Sequence, residues 1–242
     1  MNQIEELMQF IREADNIVFF GGAGVSTASG IPDFRGANGI FKLKPETIVS
    51  HSYFLSHPNE FYDFYWNRMV FPSAVPNACH LFLKMLEEEG KNLTVITQNI
   101  DGLHQRAGTK NVIELHGNTN RYHCMRCQKK FFLSDLNKHG IPRCSECEGI
   151  IRPDVVLYEE PLDQRVLEKA IEAIEKASLM IVGGTSLSVY PAAGLIRFFH
   201  GKNIVQINLG DTFLSSTATI CIDRNIVEVL NIENYLQKND KC

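Results

Sequence analysis

At 242 residues, with 44% hydrophobic and 21% charged residues, the chain can bury a full core, which excludes a disordered polymer and places it between one large domain and two ordinary ones. Its 24 Lys and Arg against 28 Asp and Glu leave a net charge of −4, which excludes a strong overall field for nucleic acid and leaves a basic protein partner to be attracted only locally. No apolar stretch approaches membrane length, and the acidic, amphipathic first residues lack the basic flank and small-residue cleavage site of a signal peptide. A soluble protein of the cytoplasm is the expectation.

A first helix is expected over residues 2–14 from apolar residues at three- and four-residue spacing. The apolar run 16–20 then opens into GGAGVSTASGIPDFRG at 21–36. Glycines directly after a strand let the backbone approach a pyrophosphate, and a following helix N-terminus offers unpaired N–H groups to the anion. The ordinary dinucleotide fingerprint needs a third glycine where Thr27 stands, and a ribose-binding acid about 20 residues on. Both are missing, so the turn is a variant, and alone it reads equally as a tight strand-to-helix connection.

The aromatic-rich segment 41–76 is an insertion with helical character. After a helix over 77–89, the strand 93–97 runs into Gln98, Asn99, Ile100 and Asp101. These amide and carboxylate groups stand where a strand's carboxyl end opens into a ligand crevice. Asn and Gln satisfy both donors and acceptors of a carboxamide or ribose, and Asp accepts from an amide NH₂; Asx capping before a helix is the competing reading. Another apolar run, 112–115, ends at His116, followed by Gly117.

Strands over 179–182, 204–207 and 220–222 alternate with helices over 163–176, from near Pro191, and over 226–237. Leu167, Ala170, Ile171 and Ile174 form the clearest stripe. Gly183, Gly184, Thr185 and Ser186 make a second glycine-rich loop after a strand. This alternation predicts an α/β fold, a Rossmann-like parallel sheet with helices on both faces.

Four of the seven cysteines form one cluster, Cys124 and Cys127, then sixteen residues, then Cys144 and Cys147. Two C-x-x-C knuckles complete the tetrahedron Zn²⁺ prefers when no catalytic position is open, so one structural zinc in a small zinc-ribbon lobe is expected. Disulfides or a thioredoxin-type pair are the alternatives. The expected division is a Rossmann-like lobe at 1–40, 77–118 and 152–242 and a small lobe at 41–76 and 119–151, with the ligand in the cleft between them.

The fragments GAGVSTASGIPDFRG, TQNIDGLH, ELHGN, the doubled C-x-x-C and GGTSLSVYPA, in that order, make the chain resemble the sirtuin family of NAD-dependent protein lysine deacylases, in its bacterial form, over about residues 11–225. The resemblance implies a protein lysine deacetylase that consumes NAD⁺ and acts on acylated lysines, with neither nucleic acid nor membrane as partner. Ala23 and Thr27 would contact the pyrophosphate side. Phe34 and Arg35 would cover the nicotinamide riboside, and Gln98 and Asn99 would address the ribose. Ile100 and Asp101 would hold the carboxamide. His116 would be the general base, with Asn99 counted beside it as catalytic. Thr185, Ser186 and Asn208 would take the adenosine half, with Leu209 and Ile226 adding contacts. Val156 would touch the acyl-lysine, with Tyr158 and Val189 on the peptide.

The chain departs from the commoner family pattern where Tyr158-Glu159-Glu160 replaces phenylalanine-glycine-glutamate, and Glu159 is expected to alter peptide affinity or flexibility. Tyr65 and Arg68 resemble the tyrosine-x-x-arginine pair of desuccinylases and demalonylases, in which arginine forks onto a carboxylate-tipped acyl chain. Mono-ADP-ribosyl transfer is a second enzymatic alternative, and a zinc-containing module that binds acyl-peptides without turnover is the non-enzymatic one.

Overall fold

The computed structural model describes residues 2–33 and 45–237. Its main sheet has six parallel strands, β1 (Asn16–Gly21), β2 (Asn92–Thr97), β3 (Val112–Glu114), β7 (Leu179–Gly183), β8 (Asn203–Ile207) and β9 (Ile220–Ile222), in the order β3-β2-β1-β7-β8-β9. This is the doubly wound order whose direction of winding reverses between β1 and β7, where such sheets open a ligand crevice. Gly21 registers with Thr97 on one side and with Gly183 on the other, so the three central strands end level.

Strand periodicity sorts the core. Ile17, Phe19, Leu179 and Ile181 pack on one face with the helices Gln3–Glu13, Ala78–Glu88 and Ile226–Val229. Val18, Phe20, Met180 and Val182 pack on the other with the helix Gln164–Lys176 and the 3₁₀ segment Ala192–Phe198. Both faces are covered, as continuous apolar strands require.

A second, antiparallel sheet of β4 (Gly117–Cys124), β5 (Lys130–Phe132) and β6 (Ile151–Val155) runs in the order β5-β4-β6. The helices His51–Ser56 and Pro58–Arg68 share a third apolar cluster with it, built on Phe54, Phe61, Tyr62, Tyr65, Trp66 and Tyr122. The pairing continues to Gly117↔Val155, which brings the end of β6 beside the residue after His116. Among the described residues no helix is long and apolar enough to cross a membrane.

Three elements differ from expectation. The first glycine turn enters two 3₁₀ turns, Ala23–Val25 and Thr27–Ser29, rather than an α-helix. The segment after Pro191 is likewise 3₁₀. The helix expected over 226–237 is two, Ile226–Val229 and Ile232–Leu236. Asn231 divides them: its Nδ2 donates to the carbonyls of Val227 and Glu228, closing the first, and its Oδ1 accepts from Asn234 N, starting the second.

Candidate active site

The carboxyl ends of β1, β2, β7 and β8 open together into a cavity of about 520 Å³. Its wall takes Ala23 and Thr27 from the first glycine loop, Gln98, Asn99 and Ile100 from the loop after β2, and Thr185 and Ser186 from the loop after β7. Asn208 and Leu209 follow β8, Ile226 opens the next helix, and Val156, Tyr158 and Val189 line the side facing the small sheet. His116 is on the same wall.

The two glycine loops are pressed against each other. Gly24 N donates to Gly184 O at 2.8 Å, and a Cβ on Gly24 would stand 2.8 Å from the Gly184 Cα. The close approach that these glycines permit is therefore to the second glycine loop, and Gly24 and Gly184 both line the cavity. Gln98 crosses this junction, its Nε2 donating to Thr185 Oγ1 at 3.0 Å and its N donating to Gly21 O at 3.0 Å.

His116 sits between β3 and β4. Its Nδ1 lies 2.8 Å from the Gln98 carbonyl; a carbonyl only accepts, so Nδ1 carries the proton and Nε2 is left as the basic atom. Burial lowers its pKa from the ordinary histidine value, and the hydrogen bond to Gln98 acts in the opposite direction. The imidazole is therefore neutral at physiological pH and able to accept a proton. Its carbonyl accepts from Val156 N at 3.0 Å, joining the histidine's backbone to the segment after β6. Gly117 makes this possible: at φ +79 a Cβ would meet Asp154 O at 1.9 Å.

Behind the wall, Ser26 Oγ donates to Asp101 Oδ2 at 2.7 Å and accepts from Asn99 Nδ2 at 3.1 Å. Asp101 Oδ1 accepts from Leu103 N at 2.8 Å. Burial raises the Asp101 pKa, opposed by these two hydrogen bonds. Asp101 is not itself among the cavity-wall residues, and its bonds to Ser26 and Leu103 fix the loop that presents Asn99 and Ile100. Ser26 was not singled out from sequence; a hydroxyl in a glycine loop carries no pattern that separates it from its neighbours Thr27 and Ser29.

Asn77 is a second residue the sequence does not mark beyond placing it at the start of a helix. Its Nδ2 donates to Val25 O at 2.8 Å and to Ser29 Oγ at 3.0 Å, while its Oδ1 accepts from Cys79 N at 3.1 Å. One side chain thus ties the first glycine loop to the helix Ala78–Glu88. Beside it lie His80 and His104, both buried, with ring centroids 4.6 Å apart. Burial pushes His80 down to about 4, and burial together with the neighbouring His80 lowers His104.

His80 is neutral in the folded protein between about pH 4 and 6.5 and His104 is shifted in the same direction, whereas the unfolded chain binds a proton at each. Their stabilising contribution is complete above about pH 6.5 and is lost as pH falls below it. Urea unfolding midpoints measured from pH 7 to 4 should fall accordingly, and His80→Gln should flatten the slope; an unchanged slope would refute this assignment.

Phe34 and Arg35 lie outside the described residues. Tyr65 and Arg68 are not on the cavity wall. Tyr65 is fully buried in the aromatic cluster, its hydroxyl 3.1 Å from that of Tyr122, and Arg68 is exposed at the end of its helix. Tyr65 packs the helix Pro58–Arg68 against Tyr122 in this cluster.

The Sγ atoms of Cys124, Cys127, Cys144 and Cys147 lie within 4.8 Å of one another. A tetrahedron with metal–sulfur bonds of about 2.3 Å has edges of about 3.8 Å, and the contacts Cys124–Cys147 at 3.4 Å and Cys127–Cys144 at 3.7 Å are close to that.

Residues 22–191 match the model of the Sir2 family. The chain is 52% identical over 240 residues to an NAD-dependent protein deacetylase of Clostridium perfringens, covering 95% of this chain and 97% of the relative. It is 46% identical over 234 residues to one of Thermotoga maritima, covering 93% and 95%. Among solved structures, a Sir2 complex with a p53 peptide and NAD⁺ superposes with a TM-score of 0.84 at 43% identity, covering 94% of this chain and 95% of that one. A Sir2 bound to an acetylated peptide gives 0.82 at 42% identity, covering 94% and 95%.

Proposed function

Since the chain belongs to the Sir2 family, we propose that it is an NAD-dependent protein lysine deacetylase, moving the acetyl group from lysine to ADP-ribose and releasing nicotinamide and free lysine. The observation that carries this reading is His116, half-buried and neutral with Nδ1–H on the Gln98 carbonyl, on the wall of a cavity formed where four parallel strands end.

The donor set fits the cosubstrate. Ala23 and Thr27 would face the pyrophosphate, and Thr185, Ser186, Asn208, Leu209 and Ile226 the adenosine half; Gln98 and Asn99 would address the ribose, with Ile100 and Asp101 on the carboxamide side. Phe34 and Arg35 remain assigned to the nicotinamide riboside by resemblance. Once bound, NAD⁺ supplies an activated ribose carbon at which the acyl oxygen can attack. The chain's own contribution is to position and to move a proton: Asn99 orients the ribose hydroxyls, held by Ser26, and His116 Nε2 takes the hydroxyl proton. Apolar Val156 and Val189 flank the acyl-lysine, and Tyr158 the peptide, which can add as an extended strand with backbone hydrogen bonds.

Cys124, Cys127, Cys144 and Cys147 would hold one structural Zn²⁺, and no open ligand position is left for chemistry. The zinc ribbon with segment 41–76 would form the small lobe and the main sheet the Rossmann-like lobe, with the cavity between them. Unpaired thiols and a tetracysteine site suit a reducing compartment, so the cytoplasm is the proposed location. A net charge of −4 suits an acylated protein substrate better than nucleic acid.

The test is mass spectrometry of reactions containing NAD⁺ and matched acetyl-lysine and succinyl-lysine peptides, following free lysine peptide and O-acyl-ADP-ribose together. Acetyl removal should dominate, because the Tyr65 hydroxyl is buried against Tyr122 and neither Tyr65 nor Arg68 is on the cavity wall. Dominant succinyl removal would overturn the acetyl assignment, and ADP-ribose left covalently on protein would favour ADP-ribosyl transfer.

A further inference from the structure

We propose that Glu159 selects peptide substrates by charge, favouring a Lys or Arg close to the acyl-lysine, while its carboxylate holds the turn that bounds the peptide side of the cavity. This rests on the deacetylase reading and goes beyond it to substrate preference.

Glu159 is exposed, lines the cavity beside Val156 and Tyr158, and has φ +76. That is the left-handed region, which costs a side-chain-bearing residue more than glycine and persists only when surroundings hold it. The hold is visible. Its Oε2 accepts from Ser52 N at 2.8 Å and its Oε1 from Ser52 Oγ at 2.9 Å, so the carboxylate caps the first turn of the helix His51–Ser56, where negative charge is favoured. The backbone on either side is fastened as well: Tyr158 N donates to Val49 O and His51 N to Tyr158 O, both at 3.0 Å.

The adjacent carboxylate is electrically spent. Arg152 forks onto Glu160 at 2.8 and 3.0 Å, and Leu157 N and His51 Nδ1 also meet it, at 2.9 and 2.7 Å. Glu159 instead is held by neutral donors, and among the described residues no ion pair compensates it. Glu159 therefore stands on the lip as a carboxylate without a charged partner among the described residues. Val156, which flanks the acyl-lysine, is three residues away, at most about 10 Å along an extended chain, comparable with the screening length of about 8 Å at physiological salt. A cation within about three residues of the acyl-lysine falls inside that range, and an acidic residue there is repelled.

Three acetyl-lysine peptides differing only in flanking residues, Lys, Gln or Glu, would be compared by kcat/KM in low and high salt, for the natural protein, Glu159→Gln and Glu159→Gly. Within one protein the ratio between peptides is insensitive to a general loss of activity, so a merely structural role would lower all three alike. The natural protein should prefer the Lys-flanked over the Glu-flanked peptide by about two- to five-fold, the scale of one exposed ion pair, with the preference in KM and reduced in high salt. Glu159→Gln, which keeps an acceptor for Ser52, and Glu159→Gly should both bring the ratio close to one. A ratio near one in the natural protein, or an undiminished ratio in both variants, overturns the inference. Failure to deacetylate any of the three overturns the activity itself, and the charge preference with it.

Discussion

Replacing His116 with alanine should lower the rate of deacetylation by about two to four orders of magnitude, the usual contribution of a general base, with the folded structure retained. The backbone bond from Val156 N to the His116 carbonyl does not depend on the side chain, so the segment after β6 keeps its place. The Gln98 carbonyl loses one donor at a cavity wall, where water can replace it. The pH profile provides an independent check. His116 acts as a base only when neutral, and burial lowers its pKa, so the acid limb of kcat/KM should fall below the ordinary histidine value of about 6.5. An alanine variant that forms product at the normal rate, or an acid limb at or above pH 7, would remove His116 from the role.

The sheet was legible because its strands are buried on both faces. Runs such as 17–20 and 179–182 are apolar at every position, and the structure divides their alternate residues between two cores. The loops after β1, β2 and β7 were legible because glycine, amide and carboxylate residues interrupt those runs at the strands' carboxyl ends. What escaped was set by tertiary contact. Nothing local marks Ser26 as the partner of Asp101, 75 positions away, or Asn77 as the bond between a helix cap and Val25. The same holds for Tyr65: its spacing to Arg68 suggested a carboxylate site, yet a helix turn brings both spacing and burial, and only the Tyr122 hydroxyl opposite shows which way the ring faces. The 226–237 stripe hid a break: Asn231 ends one helix, which buries Ile226 and Val229, and starts another whose Ile232 and Leu236 are exposed.

Removing one of the four clustered cysteines proposed to hold zinc should act through stability rather than through chemistry. Cys124 is fully buried at the end of β4, pairs in register with Ile151 of β6, and shares an apolar cluster with Tyr62, Tyr65 and Trp66. The knuckle turns at its side are hydrogen-bonded to sulfur, with Arg126 N 3.4 Å and Cys127 N 3.5 Å from Cys124 Sγ, an arrangement that favours thiolate and hence metal. Apparent binding energies of about 10–16 kcal/mol for Zn²⁺ in small modules equal or exceed the whole stability of an ordinary domain, about 5–15 kcal/mol. Cys124→Ala should therefore unfold the small sheet, lower the melting temperature by well over 10 °C, and reduce zinc content by atomic absorption from one ion per chain to near zero. Activity should disappear with it, since β6 leads directly to Val156 and to its bond with His116. Strong chelation of the natural protein should give the same loss, reversed by Zn²⁺. Full activity with no bound metal would show that the four sulfurs hold the sheet by packing alone.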